Sequence, residues 1–143
     1  MREKLLEKLQ SLVEQSSAAP PVVELDDYFV GNAQEDSIAP NQIGDGRPSL
    51  ADLHAALRAI RDRPDVQAVL VGIHGDWVES LKCDDVWPAA DNVHIYASAG
   101  RSTVEGWVAG FAHDGVLKGW PYGMHPAAPK PQRGYHVYTI CWD

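Results

Sequence analysis

The side chains suited to chemistry sit at alternate positions of short apolar runs. Val93-His94-Ile95-Tyr96 alternates apolar with polar residues, and so does His136-Val137-Tyr138 near the C terminus. A β-strand sends successive side chains to opposite faces. With Val23, Leu25, Val93, Ile95 and Val137 turned to a core, the other face would carry Glu24, Asp26, Tyr28, His94, Tyr96, His136 and Tyr138. Two imidazoles and a carboxylate are a zinc-type set. His94 and His136 would be ligands, with Glu24 or Asp26 as a third ligand or a group orienting one. The same face, with Tyr96 on it, would equally serve a small molecule. The plain alternatives are a solvated face stabilised by cross-strand Tyr and His pairs, or one covered by the N-terminal helix.

A second set points to protein partners. Glu35, Asp36 and Asp45 lie on a long aperiodic segment from Gly31 to Pro48, and Trp120-Pro121-Tyr122-Gly123 opens a proline-rich stretch. An acidic patch speeds encounter with a basic partner, and Trp and Tyr are typical interface anchors. Trp120 folding back onto the core is the alternative, since Trp is highly buried on average.

Familiar catalytic and nucleotide motifs are absent: there is no phosphate-binding G-x-x-x-x-G-K-[ST], no G-x-G-x-x-G, no H-E-x-x-H and no G-x-S-x-G. No cofactor is therefore expected. Asn32-x-Gln34-x-Asp36 opens like a calcium loop, but Ser37 and Ile43 stand where that loop needs Gly and Glu. Cys83 and Cys141 are far apart and outside any C-x-x-C, which suits a reducing cytoplasm.

These residues need elements to position them. Leu5, Leu6, Leu9, Leu12 and Val13 make one stripe of an amphipathic helix over 3–16, ended by Pro20-Pro21. Val22 to Val30 reads as a strand. Ser49-x-x-Asp52 caps a helix with Leu50, Leu53, Leu57 and Ile60 on its buried stripe. Val66 to His74 reads as a strand apolar on both faces, and Val93 to Ser98 as another. Ser102-x-x-Glu105 caps a second core helix over 103–113, and Tyr135 to Trp142 closes as a strand.

That order predicts an α+β fold: one antiparallel sheet in the β-α-β-β-α-β, ferredoxin-like order with right-handed crossovers, preceded by the N-terminal helix. The 143 residues read as one domain, 1–17 being the helix and 22–143 the α+β core. The net charge of −8 and the scattered basic residues argue against nucleic acid and an anionic membrane surface. Met1-Arg2-Glu3-Lys4 opens a charged helix rather than a signal peptide, and no apolar run is long enough to span a bilayer, so the expected compartment is the cytoplasm.

Leu25-Asp26-Asp27-Tyr28-Phe29 with Gly31-Asn32, Ser37-Ile38-Ala39-Pro40-Asn41, Gly119-Trp120-Pro121-Tyr122-Gly123 and the terminal Trp142-Asp143 resemble a group of small uncharacterised bacterial cytosolic proteins. The resemblance spans residues 22–143 and implies no activity and no catalytic residue. The leading expectation is a non-enzymatic interaction module, for instance an immunity-type protein that blocks a basic toxin. The alternatives are a small-molecule or metal-binding protein or enzyme using the open sheet face, and a homodimer through that face.

Overall fold

The computed structural model describes residues 1–39 and 47–142. Helix α1, Arg2–Gln15, forms where the leucine stripe predicts it. Leu5, Leu6, Leu9 and Leu12 are buried in the principal core, each such side chain contributing roughly 1.5–3 kcal/mol. The start of α1 is anchored by Arg2. Its Nε donates to the Val86 carbonyl at 2.8 Å, and one terminal nitrogen donates to the carbonyls of Ser80 and Cys83.

After the proline linker, strand β1 is short, Val22–Glu24. The expected continuation to Val30 is instead helix α2, Leu25–Phe29. Leu25, Tyr28 and Phe29 are the buried residues of α2 and fall at helical spacing, while Asp26 and Asp27 occupy a first turn, where the helix dipole favours carboxylates. Helix α3, Leu50–Arg61, starts as expected, with Ser49 Oγ accepting from the Asp52 N–H at 3.1 Å. Strand β2, Val66–Ile73, leads into a 3-10 helix, Gly75–Leu81, and then strand β3, Ala90–Ala97.

Helix α4, Arg101–Trp107, is shorter than expected. It starts after Gly100 without a side-chain cap, so the Ser102–Glu105 box does not form. Gly106 and Gly110 carry a poor helix propensity just where it stops. Strand β4, Gly115–Lys118, has no counterpart in the sequence reading, being too short to show a period. Strand β5, His136–Cys141, closes the sheet.

All five strands are antiparallel, in the order β1-β2-β3-β5-β4. The α+β class and the antiparallel sheet agree with expectation; the ferredoxin-like order does not. That order places its first strand at the centre of the sheet, whereas here β1 is a three-residue edge strand. Pro20 and Pro21 precede it, and proline cannot donate to a ladder, which confines such a segment to an edge. Strands β3 and β4 are both antiparallel to β5 and so parallel to each other, and the chain between them, through α4, makes a crossover past β5 of the kind that is right-handed as a rule.

The helices cover one face, packing Val69, Val71, Val93, Ile95 and Ile140 into the principal core. The other face is not open. Val22, Leu70, Tyr96, Val137 and Ala128 form a second apolar cluster, with Trp120 and Met124 packed on it. The proline-rich stretch thus supplies a second covering layer.

Candidate functional site

The register of β5 sorts the predicted site residues. Ile95 pairs with Tyr138 and Tyr96 with Val137, so Tyr138 shares the helix-side face and Val137 shares the face of His94. The alternation expected for β5 is therefore shifted by one residue, which exchanges its two faces. His94 pairs with Thr139, whereas His136 pairs with Ala97, on the opposite face, and is exposed. The two histidines do not converge. Among the described residues no group of three or more His, Cys, Asp or Glu is placed to hold a metal ion.

The remaining members of that set scatter. Glu24 faces the same side as His94 but is exposed, with Leu70 between them in the register, about 10 Å across two strand spacings. Asp26 lies on α2, where its Oδ1 meets His54 Nε2 at 3.2 Å and an Arg61 nitrogen at 3.6 Å. Tyr96 is fully buried, its ring edge-on to Trp120 at 6.1 Å, and burial pushes its hydroxyl up to about 12.

The partner set also divides. Glu35 Oε1 accepts from the Leu50 N–H at 2.9 Å, so this carboxylate serves the start of α3. Asp36 is exposed, and Asp45 lies outside the described residues. Trp120 is half-buried over His94, at 4.2 Å between ring centroids, and Tyr122 is exposed beyond it. Trp120 thus folds back, as the alternative reading had it, onto the second apolar cluster.

A cleft of about 550 Å³ opens beside His94. Gly72, Asn92 and His94 make its floor on β2 and β3. The linker after α1, residues 17–21, borders one side, and Trp120, Tyr122 and Gly123 border the other. Trp77 and His74 line it from the end of β2 and the 3-10 helix. The two rims approach at Gly123, where a Cβ would lie 3.6 Å from that of Ala19.

His94 is buried, and loss of hydration lowers its ionisation to about 3. It is thus neutral at physiological pH, and its tautomer follows from its neighbours. The Thr139 hydroxyl has one hydrogen, which it donates to the Gly119 carbonyl at 2.7 Å. Toward His94 Nδ1, also 2.7 Å away, that oxygen can only accept. The proton therefore sits on Nδ1, and Nε2 carries a lone pair. Nε2 lies over Gly72, where a Cβ would come within 2.8 Å of it. The geometry offers an acceptor nitrogen beside an aromatic wall.

A second histidine locks the walls. His125 is fully buried; its Nδ1 accepts from the Ala127 N–H at 3.0 Å, and its Nε2–H donates to the Leu12 carbonyl at 2.7 Å. The proline-rich layer thereby caps the last turn of α1, next to the linker that borders the cleft.

Sequence reasoning missed Gly72, Thr139 and His125. A glycine inside the strongest strand signals a close approach of another group, so Gly72 was detectable. Thr139 and His125 carry no such signal, because their roles depend on a register and on a contact 113 positions away in the chain.

A family model described as "Uncharacterized protein YfbO family" matches residues 1–140. The chain is 30% identical over 124 residues to the uncharacterized protein YfbO of Escherichia coli (strain K12), covering 86% of this chain and 83% of that protein. The group of small bacterial proteins that the motifs resemble is thereby supported. No solved structure matches. No helix among the described residues is long and apolar enough to cross a membrane.

Proposed function

We propose that this chain, which belongs to the YfbO family, binds a small organic molecule in the cleft over His94. The observation that carries this reading is the cleft itself. Its volume lies within the range of small-molecule sites, its lining is mainly apolar and aromatic, and one neutral imidazole presents a lone pair at its floor. Such a site orients a ligand by a single directed hydrogen bond and holds it by apolar contact.

This reading ranks above the interaction module expected from sequence, because Glu35 and Trp120 are engaged within the fold. Glu35, Asp36 and Tyr122 are exposed, but the Glu35 carboxylate is held by the start of α3. Among the described residues a metal-binding form of the site lacks a ligand set, and His136 faces away from His94. A fragment screen followed by NMR tests the proposal. Hits should shift the indole N–H of Trp120 and the ring signals of His94. A screen in which no fragment moves either residue overturns it.

A further inference from the structure

We infer that the ligand of this cleft is an organic cation, an ammonium group on an apolar or flat body. The inference rests on the proposed small-molecule site and specifies its chemistry. Three features of the lining converge on it.

The first is charge. Among the described residues, no lysine or arginine lines the cleft, while the half-buried carboxylate of Asp91 does. An anion would meet a carboxylate with no cation to offset it, whereas an ammonium group gains from the same carboxylate. The net charge of −8 adds attraction at longer range.

The second is hydrogen-bond polarity. His94 Nδ1–H is engaged by Thr139, so the nitrogen turned to the cleft accepts. Asn92 spends one of its two amide hydrogens on Asp91 Oδ1 at 2.8 Å. The floor thus holds no charged donor for a carboxylate or phosphate, and its acceptors match N–H⁺ groups. His74, at the mouth, adds a neutral donor: its Nδ1 accepts from the Asp76 N–H at 3.0 Å, leaving Nε2–H outward.

The third is the aromatic border. Trp77, Trp120 and Tyr122 line the cleft, and the face of an indole or phenol ring attracts a cation. Each of these features also tolerates a neutral ligand; only together do they favour a positive one over a neutral one of equal shape.

Three probes of one shape test this: phenethylamine, phenylethanol and phenylacetate, titrated into the full-length protein while the Trp120 and His94 signals are followed by NMR. Phenethylamine should bind about tenfold tighter than phenylethanol, equivalent to about 1.4 kcal/mol, and phenylacetate most weakly. Asp91→Asn keeps an oxygen for the Asn92 amide and should shrink the preference for the amine over the alcohol by roughly threefold. If the alcohol or the acid binds as tightly as the amine, the site is real and the charge inference is wrong. If the preference survives unchanged in Asp91→Asn, the assignment to this cleft is wrong. If no probe perturbs either residue, both the charge inference and the underlying site are overturned.

Discussion

His94 on β3 and Thr139 on β5 face each other in register, and the 2.7 Å contact between Nδ1 and Oγ1 decides which nitrogen of the ring carries the proton. The deciding fact is one bond further on: the threonine hydrogen is spent on the Gly119 carbonyl. A backbone carbonyl at the start of the proline-rich stretch thus sets the polarity of the cleft floor.

Thr139→Val removes the acceptor for Nδ1–H and leaves that buried donor without a partner. The expected cost is about 1–3 kcal/mol of stability. In nitrogen-detected NMR the native ring should show the Nδ1–H tautomer, and the valine variant should lose that uniform state. Thr139→Ser should restore both stability and tautomer. A native ring protonated on Nε2 would refute the derivation.

Gly72→Ala places a Cβ against His94 Nε2, and also 2.9 Å from Asn92 Cβ. Overpacking of this kind costs about 1–3 kcal/mol. The variant should unfold at lower urea and fail to bind any fragment that the native cleft takes. Unchanged stability with unchanged binding would mean that Nε2 does not lie over this glycine.

The acid response follows from burial of His94. Unfolded, the ring takes a proton near its ordinary value of 6.5; folded, it resists down to about 3. A depressed folded value means that the stabilisation is complete above 6.5 and is lost as pH falls toward 3. The slope is about 1.4 kcal/mol per pH unit. Between about pH 7 and about pH 5, the native protein should lose about 2 kcal/mol more than His94→Gln, measured from urea midpoints. Equal losses would show that the ring is not held neutral.

His125→Ala empties a fully buried position, takes from the Leu12 carbonyl one of its two donors, the other being the Ser16 N–H, and removes the acceptor of the Ala127 N–H. Hydrogen exchange should speed up in the last turn of α1, the linker after it and the segment around Ala127, while β2 and β3 stay protected. Acceleration spread evenly over the whole sheet would indicate general destabilisation instead of a local latch.

Much of the scaffold was legible because it rests on local rules. The leucine stripe of α1, the Ser49 cap of α3 and the apolar runs of β2 and β3 each declare themselves within a dozen residues, since helix and strand periods are local properties. His94 was singled out for the same reason, as the polar member of an alternating run. Local rules also misled. Leu25 to Phe29 fits either period, and the acidic pair that spoils a strand suits a helix start.

What only the tertiary structure decided is relational. Strand order depends on which edges meet, and β1, shortened by the prolines before it and the helix after it, ends at an edge. A shift of one residue in β5 exchanges its faces, which sends His136 away from His94 and brings Thr139 to it. The sequence by itself determined that a histidine would stand on an apolar strand. The pairing of β3 with β5, the glycine beneath the ring and the proline-rich layer above it determined that this histidine is neutral, oriented and set in a cleft, because desolvation and hydrogen-bond direction arise from neighbours distant in the chain.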